Sequence, residues 1–291
     1  MQEVDEGLIY DVGMHIATDS AYYLRRGFRV VAVEANPMLV EDARRRFASE
    51  IAAGRLTVVG VGIAEHPGEA TFWVCDDWTA WSSFDREVAS RNGNRHHAVA
   101  VEQRPLLDIF TQYGMPYYCK VDIEGHDRYC LDGLRPDFRP RFVSVELSEY
   151  PFFERLREVG FDRFKLVHQL SFSPPSARWH AVRSLAVGAR LQAGLERARG
   201  FARGALLHDG WYFRIGSSGP LPFKSPGGWM DYEDAVALHA YMLRQFAAGR
   251  FGLLDSFDLH ATDAETLAGL RGNGDRGPYA GPQPGDQRAG F

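Results

Sequence analysis

The chain has 291 residues, 45% of them hydrophobic and 24% charged, with a formal net charge of −5 at pH 7. This suits one large α/β domain with elaborations, and the missing basic surplus speaks against nucleic acid as a partner. No apolar run approaches the roughly 20 residues that span a bilayer, and the opening MQEVDEGLIY has neither the basic nor the apolar region of a signal peptide.

In chain order, short apolar runs alternate with amphipathic ones. Residues 8–11 read as a strand, and 18–26 as a helix with Thr18 as its cap. The β-branched run at 28–34 reads as a buried parallel strand. A helix follows at 37–49, with Pro37 in its first turn, and a third strand at 56–60. Residues 70–75 and 98–102 read as further strands, and 105–113 as a helix. A strand at 117–122, a helix at 127–134, a strand at 141–146, a helix at 152–159 and a last strand at 161–168 complete the series. The alternation predicts a Rossmann-like, doubly wound α/β fold: a mostly parallel sheet with helices on both faces. Beyond Ser171 the pattern changes to a helical and loop elaboration. It holds an arginine-rich stretch at 178–207, a strand at 211–215, a Gly/Ser/Pro loop at 216–228 and a helix at 232–246. The expected division is a ligand-binding domain at 1–170, a cap at 171–272 and a disordered tail at 273–291. The arginine-rich stretch reads as a cover for the acceptor site or as a solvated helix face. Cys75, Cys119 and Cys130 follow no CxxC or Cys/His spacing, and Cys119 and Cys130 lie in element-forming stretches. Buried thiols, no zinc and a reducing, cytoplasmic setting are expected.

Open α/β sheets bind ligands beyond the carboxyl ends of their strands. Four predicted strands end there in a carboxylate: Asp11, Glu34, Asp122 and Glu146. Acids beside a buried sheet are costly unless paired or ligand-bound. Gly13 permits a sharp turn after the first strand. Glu34 lies where a carboxylate can accept both hydroxyls of a ribose. The full GxGxxG is missing, since Met14, His15, Ile16 and Ala17 follow Gly13. That disfavours a dinucleotide, whose pyrophosphate needs the glycine-rich turn. The densest signal is Lys120-Val121-Asp122-Ile123-Glu124-Gly125-His126. The strand period puts Lys120, Asp122 and Glu124 on one face, where Lys120 can neutralise either acid. Asp122, Glu124 and His126 are the candidate general bases, with His15 across the rim.

These pieces in this order resemble the FkbM family of S-adenosylmethionine-dependent methyltransferases. The resemblance is carried by Asp11-Val12-Gly13-Met14-His15 with Asp19, by Val31 to Pro37 (VAVEANP), by Trp81-Ser82-Ser83-Phe84 and by Lys120 to Gly125. Gly216-Ser217-Ser218-Gly219-Pro220 and Asp258-Leu259-His260-Ala261 resemble later parts of one bacterial branch. The resemblance implies S-adenosylmethionine as cofactor. Asp11 and Gly13 would line its methionine part, Glu34 would hold its ribose with Asn36 nearby, and Gly62 and Ile63 would sit at its adenine, with His15 and Lys120 also among the cofactor-binding residues. Ser82 and Ser83 would lie at its carboxylate or at the acceptor's mouth, and Asp122 at the reacting centre. The branch has glycine where this chain has Ala17, whose methyl group would crowd the methionyl end. The acceptor implied is a small molecule, sugar or lipid-linked compound methylated on a hydroxyl. A divalent metal is compatible with the carboxylates but not required. A nicotinamide-dependent oxidoreductase and a non-catalytic cofactor-binding module stay open as alternatives.

Overall fold

In the computed structural model, which describes residues 3–148, 151–169, 172, 174–175, 206–208, 211–213, 217–249 and 256–272, strand β1 (Val4–Val12) is buried on both faces from Gly7 onwards. Helix α1 (Thr18–Arg25) follows, but its cap is Ala17 and no side chain caps it, so Thr18 is the first helical residue and not the cap. Strand β2 (Arg29–Val33) is buried on both faces beyond Arg29, as its β-branched run predicts. Helix α2 (Pro37–Arg46) starts on Asn36, whose Oδ1 accepts from the Met38 N–H at 3.0 Å. The helix expected at 37–49 breaks at Phe47 and resumes as α3 (Ala48–Ala52). Strand β3 (Leu56–Val59) pairs with β2.

The next strands leave the main sheet. Strands β4 (Gly62–Ile63), β5 (Gly68–Cys75) and β6 (His96–Arg104), with helix α4 (Arg86–Ser90) between the last two, form a separate three-stranded sheet in the order β4-β6-β5. The alternating regime then returns as α5 (Leu106–Tyr113), β7 (Met115–Val121), α6 (Asp127–Asp132), β8 (Phe142–Glu146), α7 (Phe152–Glu158) and β9 (Arg163–His168). A short antiparallel pair, β10 (Leu206–His208) and β11 (Trp211–Phe213), precedes the 217–230 loop and helix α8 (Tyr232–Ala247). Strand β12 (Phe257–Thr262) and helix α9 (Ala264–Gly272) come last. The arginine-rich stretch, up to residue 205, and the 273–291 tail lie outside the described residues.

The main sheet has seven strands in the order β3-β2-β1-β7-β8-β12-β9. All its pairings are parallel except those of β12, which runs antiparallel between β8 and β9. Strand β12 is absent from the sequence reading, so the sheet begun by β1 is finished by the segment expected to be an elaboration. One sheet face packs Tyr10, Phe110, Leu131, Phe164, Leu259 and Met242 into a core, and the other packs Ile9, Tyr22, Tyr23, Phe142 and Phe213. Helices therefore cover both faces.

On the second face the sheet carries a polar row. Asp11, Lys120, Ser144, His260 and Lys165 are successive register partners across β1, β7, β8, β12 and β9. None is more than 3% exposed. Ser144 hydrogen-bonds His260 Nδ1 and accepts from the Tyr118 hydroxyl at 2.9 Å. Lys165 has no carboxylate within ion-pair distance among the described residues. Its Nζ donates to the Pro222 and Ser225 carbonyls at 2.9 and 3.0 Å and lies 4.6 Å from the Trp229 ring centre.

Candidate active site

The strand order reverses between β1 and β7, because the chain steps out to β3 and returns to β1's other side. A crevice at such a reversal is the usual ligand site of an open α/β sheet. Here it is an open cleft. Gly13, His15, Glu34, Gly62, Ile63, Ser82, Asp122, Glu124 and His126 all line it. Asp11, Asn36, Ser83 and Lys120 are buried and are not among its lining residues.

The rim is fixed by main-chain bonds. The Gly13 N–H donates to the Val33 carbonyl at 2.9 Å, and the Asp122 N–H to the Val12 carbonyl at 3.0 Å. Gly13 has φ +82°, and a Cβ there would lie 1.8 Å from the Asp122 carbonyl oxygen, so only glycine fits. Glu34 is held on both oxygens: Oε2 accepts from the His15 N–H and Oε1 from the Asn36 N–H, each at 2.8 Å. Burial raises its pKa, and the two N–H groups pull it back. Asn36 supports Glu34 with its backbone and caps α2 with its side chain.

Lys120 resolves the charge behind the rim. Its Nζ donates to the Gly13 carbonyl at 2.9 Å and lies 3.1 Å from Asp11 Oδ1 and 3.9 Å from Asp122 Oδ2. Its closest acid is thus Asp11, not Asp122 or Glu124. Burial pushes its pKa down, but Asp11, Asp122 and Asp19 outweigh burial and hold the ammonium above its ordinary value. Asp11 Oδ2 accepts from the Ser20 hydroxyl at 2.6 Å. Asp19 accepts from the Ser217 hydroxyl and, at 3.0 Å, from the Ser218 N–H. The 217–220 loop is thereby tied to α1, and burial raises the Asp19 pKa to about 6.

The strand β7 stops at Val121, so Glu124 does not share a strand face with Lys120 and Asp122. It reaches the cavity through a turn, with φ 49°. Asp127 holds that turn by accepting from the Ile123 and Gly125 N–H groups at 3.1 and 3.2 Å. Arg91 pairs with Glu124 at 3.0 Å and lies 4.0 Å from the Trp81 ring centre. Burial and then Asp122 push the Glu124 pKa up to about 7, against the pull of Arg91. His126 stacks on Phe84 with ring centres 5.0 Å apart, and its Nδ1 lies 3.3 Å from the Ile63 carbonyl. Burial lowers its pKa. Burial also lowers that of His15, with Lys120 adding to the effect.

A flap from the smaller sheet closes one side. His15 Nε2 lies 2.8 Å from the Thr79 hydroxyl, and the Ser83 hydroxyl donates to the Glu124 carbonyl at 2.9 Å. The Ser82 hydroxyl donates to the Thr79 carbonyl at 2.8 Å and accepts from the Cys75 N–H at 3.1 Å. Ser82 lines the cavity, while Ser83 joins the flap to the β7 turn.

A family model described as the methyltransferase FkbM domain matches residues 11–173, more than half of the chain. The chain belongs to the FkbM methyltransferase family. Among solved structures it is similar to precorrin-6y C5,15-methyltransferase from Geobacter metallireducens GS-15. That similarity is 14% in identity with a TM-score of 0.30, over 57% of this chain and 70% of that one. No curated protein matches the sequence.

The matched stretch of this FkbM methyltransferase holds the rim from Asp11 to Glu146 but ends before β12. Sequence reasoning missed Arg91, Asp127 and Thr79 as parts of the site. Arg91 carries no local signal, because only the fold brings it to Glu124. Asp258 stood in a noted motif, yet its place on the rim needed the position of β12. All three cysteines are free and buried. Among the described residues no group of three or more His, Cys, Asp or Glu side chains could hold a metal, and no helix is long and apolar enough to cross a membrane.

Proposed function

We propose that this FkbM methyltransferase moves the methyl group of S-adenosylmethionine to a hydroxyl of a small-molecule, sugar or lipid-linked acceptor, in the cytoplasm. The observation that carries the reading is Glu34, a carboxylate pinned by two N–H groups on the wall of a cavity at the strand reversal. A carboxylate has about four lone-pair sites, so Glu34 keeps acceptor capacity for both ribose hydroxyls. Val61, Ile63, Phe72 and Phe84 offer an apolar wall that suits a planar base, and Asp122 and Glu124 offer carboxyl groups that suit a cationic sulfonium. Bound S-adenosylmethionine would supply an activated methyl group on a sulfonium.

The chain's own part is to position and to take a proton. Methyl transfer needs the acceptor oxygen, methyl carbon and sulfur in line, and holding them so supplies much of the acceleration. Asp122 lies at the mouth of the strand reversal and is the base we place nearest the acceptor hydroxyl. Arg91 keeps Glu124 beside it. His126, stacked on Phe84, serves as cavity wall with a neutral imidazole at pH 7.

The product S-adenosylhomocysteine tests the reading without a known acceptor. At a hundredfold excess over its Kd it stabilises the native state by about 2.7 kcal/mol, which should raise Tm by roughly 5 °C. Glu34→Ala should lose most of that rise. An unshifted wild-type Tm at saturating ligand overturns the cofactor assignment.

A further inference from the structure

Two carboxyls on the rim have no part in the reading above. Asp258 stands directly across from Glu146, the last residue of β8, in the antiparallel β8–β12 ladder. Directly opposed residues point to the same sheet face, here the face of the polar row. Asp258 is 2% exposed. Its Oδ1 accepts from the Gln169 amide at 2.9 Å, but its Oδ2 is buried with no hydrogen-bond partner among the described residues. Glu146 accepts from Ser256. Lys120, Asp122 and Glu124 face the pair from β7 and its turn, and Asp19 faces it from α1. Ser144 and His260 lie one step further along the same face. Lys120 is the near cation, and it is committed to Asp11 and the Gly13 carbonyl. Burial first, then the neighbouring carboxylates, push both acids well above the usual carboxylate range. Two acids so placed do not both ionise unaided. A buried oxygen without a partner is rare and calls for an explanation.

The chemistry supplies one. Methyl transfer from a sulfonium to a hydroxyl breaks a C–S bond and forms a C–O bond. The sulfur becomes a neutral thioether, and the hydroxyl loses its proton. One positive charge leaves the sulfur as one proton appears. We propose that Glu146 and Asp258 are a coupled acid pair that gives up a proton when the cationic methyl donor docks and takes back, through Asp122, the acceptor's proton as the methyl leaves. The pair thus exchanges the donor's charge for a proton, and the rim's charge is the same before and after turnover. This rests on the proposed use of S-adenosylmethionine.

Calorimetric titration with S-adenosylmethionine and with S-adenosylhomocysteine, in buffers of different ionisation enthalpy, counts the protons exchanged. The two ligands share their α-amino and α-carboxyl groups, so the difference between them isolates the sulfonium. At pH 7 the wild type should release about half a proton to one proton more with the sulfonium ligand. Its affinity should rise with pH by up to about tenfold per unit relative to the thioether. Asp258→Asn and Glu146→Gln should each abolish the difference. Equal proton counts in the wild type overturn the pair while leaving the cofactor assignment intact. A difference that survives in both variants also overturns it and moves the titration to Asp122 or Glu124. Binding of neither ligand removes the cofactor assignment and this proposal together.

Discussion

Ala17 illustrates how one methyl group costs stability. It is 1% exposed, belongs to the buried cluster that holds Tyr22, Tyr23 and Phe28, and is not among the residues lining the cavity. What it has instead is φ 60°, the left-handed conformation that disfavours every residue with a Cβ. Ala17→Gly should therefore stabilise the fold by about 1 kcal/mol with the Kd for S-adenosylhomocysteine unchanged. Urea unfolding and calorimetry check the two halves separately, and a tighter Kd would restore the crowding argument. His15 and Glu124 share this strained conformation, both on the cavity, as functional sites often do. The carboxylates at the ends of the parallel strands were legible in the sequence because each is the first acid after an apolar run. The turn that places Glu124 was not, because a period-2 reading has no means to see where a strand stops.

At the scale of elements, β12 decides the shape of the sheet's far side. Its alternation is plain in Phe257-Asp258-Leu259-His260-Ala261-Thr262, yet both of its faces are buried. A polar residue on an alternating strand normally marks the solvent face, so the sequence gives no cue that this strand belongs in the interior. Its partners add to the difficulty, since they lie about a hundred residues earlier in the chain. The 68–75 and 96–104 strands were found as strands but not as a separate sheet, since local periodicity does not name a partner. Leu259 is fully buried in the core with Tyr10 and Phe110. Leu259→Ala should cost about 3 kcal/mol, read as a lower urea midpoint at unchanged slope. A cost under about 0.5 kcal/mol would show that β12 is loosely held.

For the molecule as a whole, the polar row makes stability depend on acid. Burial first, then Lys165, pushes the His260 pKa down to about 3, against about 6.5 in an unfolded chain. The unfolded chain thus binds the extra proton between those values, and the stability this neutral imidazole confers is complete above pH 6.5 and lost progressively as pH falls towards 3. The full effect is on the order of 5 kcal/mol. His260→Asn should flatten the decline of Tm between pH 6.5 and 4, and a parallel decline in the variant would assign acid sensitivity to other groups. The same strand that carries His260 also sets a clock on synthesis. A ribosome that has finished β9 must add the 94 residues from 169 to 262 before β12 exists, which takes roughly 5–20 s. During that interval β8 and β9 have no strand between them, Ser144 and Lys165 have no His260 to complete their row, and the nascent chain offers two unpaired edges to whatever it meets.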